Sequence, residues 1–169
     1  MRPLPRALWT VPVLVLLVGC DAINPARIYQ EAARNLRFSL DRVEPSIQLA
    51  FPLEDSRLGL RLVMGVDNPT GLHFKALGLA GQLNLDEGAR SHGLGQVAFT
   101  QGLDLAPNGR SQLPVDVTFT YRQLSQSWAP VRSAIQSGKG TWRLEGQAQL
   151  QAMGVPFTVP VKVVRGAGN

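Results

Sequence analysis

The chain has 169 residues, of which 17 are lysine or arginine, 12 are aspartate or glutamate and one is cysteine, giving a formal net charge of +5. So modest a charge, scattered along the chain without clusters, excludes a protein built to bind nucleic acid. A single cysteine excludes an internal disulfide and a thiolate metal site, so the folded part must be held together by apolar burial.

The first 19 residues have the composition of an export signal. Arg2 and Arg6 precede an apolar run from Ala7 to Val18, and Gly19 stands before the cysteine, Cys20. This order of charged, apolar and small-residue segments is typical of a signal peptide. The run is shorter than the roughly 20 residues of a membrane-spanning helix and contains a proline, so it favours a signal over a span.

The segment Leu17-Val18-Gly19-Cys20 resembles a lipobox, which implies that Cys20 is acylated and that the bond before it is cut. An ordinary secretory signal with a chance cysteine is the alternative. Each buried methylene contributes about 0.8 kcal/mol, so two or three acyl chains would hold the protein at a membrane. Residues 1–19 contain two arginines and no acidic residue, so the cut chain would carry a net charge of +3.

The residue after the cysteine bears on location. Asp21 resembles the aspartate that retains enteric-type lipoproteins at the inner membrane. We therefore expect a lipid-anchored protein on the periplasmic face of the cell membrane, with the inner membrane favoured over the outer. Its expected partners are that membrane and other envelope proteins or lipids, without nucleic acid.

Residues 20–44 are predicted to form the lipidated cysteine and a linker that is partly helical. Asn24 can cap a helix that has Pro25 in its first position. Apolar residues then recur at the spacing of one helix face: Ile28, Ala32 and Leu36. The pattern predicts a helix over residues 25–40, and Pro45 closes the region. This helix would be a spacer or membrane-surface helix, or it would pack on the domain.

Residues 45–165 are predicted to form one domain, because the apolar period changes there to two. The alternating sets are Ile47, Leu49 and Phe51; Leu58, Leu60, Leu62, Met64 and Val66; Leu77, Leu79, Leu83 and Leu85; Leu113, Val115, Val117, Phe119 and Tyr121; Trp142, Leu144, Ala148 and Leu150; and Val155, Phe157, Val159, Val161 and Val163. Alternation of this kind indicates half-buried antiparallel strands. About seven short strands with turns between them predict a mainly β, immunoglobulin-like sandwich.

The sequence also predicts the turns, a bulge and the edge strands of the sheets. The turn segments are Asn68-Pro69-Thr70-Gly71, Asp86-Glu87-Gly88 and Pro107-Asn108-Gly109. Leu72 and Phe74 have the opposite parity to the leucines that follow them, which predicts a bulge near Ala76. Proline cannot donate to a strand ladder, so the strands of Pro114, Pro156 and Pro160 are expected at sheet edges.

One short helix interrupts the strands. Leu124, Trp128, Val131 and Ile135 have helical spacing, and Gly138 stands where the helix would stop. The pattern predicts an amphipathic helix that closes one end of the sandwich. The alternative is an exposed recognition helix with Trp128 as its anchor.

The order of these segments resembles the group-two late embryogenesis abundant proteins, whose module is also called the water stress and hypersensitive response (WHy) domain. The segments that carry it are Leu58 to Val66 with Asn68-Pro69, the run Leu77 to Leu85, Ala106-Pro107-Asn108-Gly109-Arg110, Trp142 to Gly146, and Gly154-Val155-Pro156-Phe157. The family often places asparagine or another polar residue after the asparagine-proline pair, and Thr70 is a small departure from that pattern. The resemblance implies a fibronectin-like sandwich with a short helix, and a role in protection under desiccation and other stress.

Residues that could carry chemistry are dispersed in the sequence. His73 lies just after the Asn68 turn, and His92 lies in a predicted glycine-rich connection over residues 88–95, beside Ser91. Neither histidine has a partner at metal-ligand spacing, and no nucleophile motif surrounds the serine. The acidic pairs Glu54-Asp55 and Asp86-Glu87 are expected to be solvated turn residues. We therefore expect no catalytic site, no metal and no cofactor.

Asn68 has two interpretations. Its side chain can hold its own turn, with Pro69 fixing φ, or it can contact a ligand. Three functions stay open for the domain: a non-enzymatic stress module of the WHy type, a carrier of lipid or another apolar ligand, and an accessory subunit of an envelope complex that adds a strand at a sheet edge.

Overall fold

The computed structural model describes residues 25–166, and the statements below concern those residues. Cys20, Asp21, Asn24 and the predicted export signal lie outside them. The elements in chain order are α1 (Pro25–Ala33), β1 (Arg37–Gln48), a short 3-10 helix (Leu53–Asp55), β2 (Arg57–Asn68), β3 (Phe74–Glu87), β4 (Arg90–Phe99), β5 (Leu103–Leu105), β6 (Gly109–Thr120), α2 (Trp128–Ser137), β7 (Thr141–Ala152) and β8 (Val155–Gly166).

The strands form two antiparallel sheets. The smaller sheet has the order β1-β2-β6, and the larger has the order β4-β3-β7-β8 with β5 paired to the start of β3. The inward residues of both sheets form one apolar core. This confirms the predicted mainly β sandwich, with eight strands in place of about seven.

The period-two pattern predicted the inward faces well. The alternating residues of β2, from Leu58 to Val66, are all buried, and so are those of β7 and the second half of β8. Val155, predicted on the inward face at the start of β8, is instead 45% exposed. The predicted bulge is present, because the pairing of β3 with β7 shifts register between Ala76 and Gly78. The prolines also lie as predicted, since β6 and β8 are edge strands of their sheets.

The predicted N-terminal helix is too long. Helix α1 ends at Ala33, and residues 37–48 form the edge strand β1, so the first strand of the sandwich lies within the stretch that was predicted as a linker. Pairing with β2, in which Leu40 lies opposite Met64, outweighs the helical spacing that continued to Leu36. Pro45 lies within this edge strand, where a missing N–H is tolerated.

Two other predictions were wrong. Leu49 and Phe51 do not continue an apolar strand face, because β1 ends at Gln48, and the two side chains are 65% and 100% exposed. Residues 88–95 are not a loop, because only Gly88 and Ala89 separate β3 from β4.

Helix α2 follows the prediction closely. It ends at Ser137, and Gly138 has the left-handed φ of 65°. Trp128 and Val131 are buried, and the Trp128 ring contacts Tyr121 edge-on. The helix closes one end of the sandwich, and the alternative of an exposed Trp128 anchor is wrong.

The sandwich has two ends that differ in what they carry. One end, the α1 end, holds α1, the turn after Asn68 and the β7–β8 turn at Met153. The other, the α2 end, holds residues 49–56, the β3–β4 turn and α2. Strands of 12 residues separate the two ends by about 40 Å.

Candidate functional site

Asn68 lies at the α1 end, where its side chain makes five hydrogen bonds, and it is 1% exposed. Its Nδ2 donates to the carbonyl oxygens of Leu72 at 2.8 Å, Ala106 at 3.0 Å and Leu105 at 3.2 Å. Its Oδ1 accepts from the backbone N–H of Thr70 at 3.1 Å and from the Thr70 hydroxyl at 2.7 Å. Because Asn68 ends β2 and Leu105 belongs to β5, this one amide joins the two sheets.

The turn after Asn68 is held by further bonds. The backbone N–H of Asn108 donates to the Thr70 carbonyl at 2.9 Å, which ties the β5–β6 turn to it. Pro69 is exposed at the tip. The amide of Asn68 has both its donor and its acceptor sides occupied by protein groups, so its chemistry here is that of a structural tie.

A cleft of about 430 Å³ lies beside this turn, where α1 passes into β1. Its lining is Arg34, Asn35, Leu36, Arg37, Pro69 and Thr70. The two arginines are exposed, and neither makes an ion pair with another described side chain. The lining of the cleft therefore contains two arginines and no acidic residue, and the nearest carboxylate in the strand register, that of Asp67 opposite Arg37, is paired with Arg110.

Aromatic contacts fix α1 on the sandwich. The Tyr29 ring meets Phe74 edge-on with 6.4 Å between ring centroids, and Phe74 meets Phe157 in the same way at 6.2 Å. The Tyr29 hydroxyl donates to the sulfur of Met153. Ala33, at the end of the helix, is buried in the core. Helix α1 is therefore part of the domain and not a free spacer.

Large apolar side chains are exposed at both ends. At the α1 end these are Ile28 at 48%, Met153 at 81% and Val155 at 45% exposure. At the α2 end, Leu49, Phe51 and Leu53 are exposed on one loop. That loop is ordered by the buried Ser56, whose hydroxyl accepts from the Ala50 N–H at 3.0 Å and whose carbonyl accepts from the Tyr121 N–H at 2.8 Å.

The outer face of the smaller sheet is covered by ion pairs. Arg110 contacts Asp41 at 2.7 Å and Asp67 at 2.9 Å, and Gln112 also donates to Asp41. The hydrogen bond from Arg110 lowers the pKa of Asp41. Farther along this face, Arg61 pairs with Asp116 beside an open groove of about 530 Å³.

The outer face of the larger sheet carries a second network. Arg143 contacts Asp86 at 2.6 Å and Glu145 at 2.9 Å, and Lys162 contacts Glu145 at 2.8 Å. Hydrogen bonds from Arg143 and then Ser91 lower the pKa of Asp86 to about 2. Asp86 is therefore an ion-paired sheet residue, and its prediction as a solvated turn carboxylate was wrong. A carboxylate with so low a pKa cannot serve as a general acid or base near neutral pH.

The two histidines are not brought together. His73 lies at the α1 end, with its Nε2 3.8 Å from Asp104, and both side chains are largely exposed. His92 lies on β4 opposite Leu85, toward the α2 end. Within residues 25–166, no three His, Cys, Asp or Glu side chains are grouped to hold a metal ion. None of the helices described here is long and apolar enough to cross a membrane.

Comparison with known proteins leaves the family open. Neither a protein-family model nor a curated protein matches the sequence. A solved structure from Archaeoglobus fulgidus is 12% identical, with a TM-score of 0.41, over 75% of this chain and 96% of that one. One from Arabidopsis thaliana is 15% identical, with a TM-score of 0.44, over 76% and 78% of the two chains.

A third solved structure is that of a candidate late embryogenesis abundant (LEA) protein. It is 13% identical, with a TM-score of 0.30, and the match covers 83% of this chain and 78% of that one. All three TM-scores lie below 0.5, so these likenesses carry no argument. The sandwich is established by its own strand order and register.

Proposed function

We propose that this chain is a lipoprotein anchored to the periplasmic face of the cell membrane, and that its sandwich is a non-catalytic WHy-type domain. One observation carries the proposal: the lipobox-like cysteine, Cys20, precedes by five residues a helix that is packed on the sandwich. A lipid on Cys20 would then hold the whole folded domain at the membrane surface. Its role would be protection of, or binding to, envelope components under desiccation or osmotic stress.

The WHy-type assignment is supported by the structural roles of the segments that resemble that family. Asn68-Pro69, the pair most typical of that family, ends β2, and its asparagine amide joins the two sheets. The resembling segments from Leu77 to Leu85 and from Trp142 to Gly146 are paired with each other in the larger sheet. The protective role comes from the resemblance alone.

A role without turnover is supported by the state of the polar groups. The carboxylates Asp41, Asp86 and Glu145 have their pKa lowered by bonded cationic side chains, which holds them ionised. Ser91 accepts a hydrogen bond from Arg143, and so it belongs to the same ion-pair network. These groups act as contacts on the sheet surface, and the three carboxylates are each paired with a cationic side chain.

The carrier and the partner module differ in what they need. A carrier needs space between its sheets, whereas this interior is filled by the apolar core and the clefts described above lie on the outside. The fully exposed Phe51, on a loop that Ser56 holds in place, favours the partner module as the second candidate. A photoreactive residue at position 51 should then crosslink to one envelope protein, while the same residue at exposed Leu49 on a Phe51→Ser background should not.

The anchor is tested by fractionation of cells. Cys20→Ala should release the protein from the membrane fraction or leave it unprocessed, while Asp21→Ser should keep it lipidated and change only the membrane in which it is found. Unchanged fractionation of the Cys20→Ala protein, with a normally matured N-terminus, would contradict the lipoprotein proposal.

The protective role is tested in a deletion strain. The strain should grow normally in rich medium and survive drying or osmotic shock less well than its parent. Rescue should tolerate His73→Ala combined with His92→Ala, because histidine is the side chain that ordinarily changes charge near neutral pH. Loss of rescue with the fold intact would instead point to a histidine-dependent reaction, and a lipid-imbalanced envelope would point to the carrier.

A further inference from the structure

We infer that the α1 end of the sandwich is a membrane-contact surface, in which Ile28, Met153 and Val155 enter the bilayer interface while Arg34 and Arg37 bind the phosphates of anionic phospholipids. This inference rests on the proposed lipid anchor at Cys20. It goes further by stating which surface of the domain faces the bilayer and what that surface recognises there.

The reach of the chain places the α1 end at the bilayer. Pro25 follows Cys20 by five positions, and a fully extended chain over that separation spans at most about 17 Å. Helix α1 is fixed to the sandwich through Tyr29 and Phe74. The acylated cysteine would therefore hold the α1 end next to the headgroups, while the α2 end could lie about 40 Å farther out.

Apolar side chains lie where this geometry puts the lipid. Met153 is 81% exposed at the tip of the two-residue β7–β8 turn, and Val155 follows it at the start of β8. Ile28 is half exposed on α1, next to the Tyr29 that contacts Met153. The contact of these apolar side chains with water is unfavourable, and their transfer to the acyl boundary of the bilayer lowers the free energy.

Positive charge surrounds the same surface. Arg34 and Arg37 line the cleft beside Thr70, and Arg27 is exposed on α1. None of the three pairs with another described side chain, and Glu31 is the one acidic residue of α1. A guanidinium group binds phosphate oxygens in a bidentate manner, and basic residues near a membrane are attracted to anionic lipids.

The anchor makes this small surface sufficient. Three apolar side chains and a few arginines would hold a free protein at a membrane only weakly. A domain tethered through the four residues between Cys20 and Pro25 experiences the bilayer at a high effective concentration, so the second contact becomes intramolecular. The surface would then set the orientation of the domain rather than its attachment.

The test uses the full lipidated protein in vesicles, with a single dye. Acylation blocks the thiol of Cys20, so Met153→Cys offers one thiol for an environment-sensitive fluorophore. Phe51→Cys, at the α2 end, is the matched control. The vesicles contain phosphatidylethanolamine with phosphatidylglycerol, or phosphatidylcholine alone, and some carry nitroxide-labelled lipid as a quencher.

We expect the dye at position 153 to shift to the blue and to be quenched by the nitroxide lipid, while the dye at position 51 stays in water. The blue-shifted fraction should be larger on the anionic vesicles. Arg34→Gln with Arg37→Gln should lower the docking equilibrium on those vesicles by about 25-fold, from about fivefold for each arginine. Arg57→Gln with Arg122→Gln, at the α2 end, should leave it unchanged.

Each contrary result overturns the inference. Equal exposure of the two dyes, or insertion of position 51, would show that the α1 end does not face the lipid. An unchanged docking equilibrium in the Arg34→Gln, Arg37→Gln protein would exclude the arginine cleft as a headgroup site.

A separate measurement on the unsubstituted protein detects failure of the lipid anchor itself. The unsubstituted protein should take up no dye and should float with the vesicles. If it takes up dye and stays in solution, the lipid anchor is refuted, and the inference falls with it. If it floats while the dye at position 153 remains in water, only the membrane-contact surface is refuted.

Discussion

Gly146 of β7 lies directly opposite Gly81 of β3 in the larger sheet. A Cβ added to Gly146 would stand 2.5 Å from the Cα of Gly81 and against the carbonyl oxygen of Ala80. The two strand backbones therefore approach each other at a point where neither residue carries a side chain. Both glycines lie in segments that carry the family resemblance, and this close approach gives them a physical role.

Gly146→Ala should lower the free energy of unfolding by about 2–3 kcal/mol, because the obstructing atoms belong to the backbone of β3 and must shift. Gly71→Ala is the control, since nothing lies within 4 Å of its added Cβ. Denaturant unfolding measures both. Equal midpoints for the two variants would mean that β3 and β7 are not so close.

Asn68→Ala should lower the free energy of unfolding by about 3 kcal/mol, because three carbonyl oxygens and the groups of Thr70 lose their partner in a buried place. This is more than one lost hydrogen bond would cost. Asn35→Ala, at an exposed position near the same turn, should change stability by less than about 0.5 kcal/mol. A small effect at Asn68 combined with loss of membrane binding would show that the turn is a binding site.

Leu62→Asp should prevent folding or lower the melting temperature severely, since Leu62 is fully buried and the carboxylate would have no partner there. The same substitution at Leu49, which is largely exposed, is the matched control and should be nearly neutral. Circular dichroism with thermal melts distinguishes the two. If both variants melt alike, the inward face of β2 has been assigned wrongly.

Asp86→Asn should remove about 1 kcal/mol of stability at neutral pH, because hydrogen bonds from Arg143 and then Ser91 lower the pKa of Asp86 from 3.8 to about 2 and solvent screens much of this interaction. Because the pKa is lower in the folded state, ionised Asp86 stabilises the protein above pH 3.8. This contribution to the free energy of unfolding is lost as the pH falls towards 2. The difference in unfolding free energy between wild type and variant should therefore shrink over that range. Glu87→Gln, the exposed neighbour, is the control. A difference that does not depend on pH would contradict the ion pair.

The local pattern was sufficient to predict much of the fold. Alternation along β2, β6, β7 and the second half of β8 identified the inward residues, since one face of each strand must be buried. Prolines placed β6 and β8 at edges, because an edge strand can lack an N–H. The parity change before Leu77 located the bulge, and Gly138 located the end of α2. Each of these follows from steric and burial rules that act within a few residues.

The remaining features depend on residues far apart in the chain. The helix predicted from the spacing of Ile28, Ala32 and Leu36 overlapped the start of β1. Only the pairing of β1 with β2 decided where the helix stops. The exposure of Phe51 followed from the end of that pairing at Gln48. The five bonds of Asn68 and the facing of Gly81 and Gly146 join segments brought together by the sheets, which a local pattern does not encode.

The proposed membrane-contact surface also depends partly on local sequence and partly on the tertiary structure. The sequence by itself determined the predicted anchor, because a charged, apolar and small-residue order before Cys20 is read along the chain without folding. The tertiary structure alone decided that Ile28, Met153 and Arg34 share one end of the sandwich. They come from α1, the β7–β8 turn and the α1–β1 connection, and the aromatic contacts of Tyr29 and Phe74 bring those segments together.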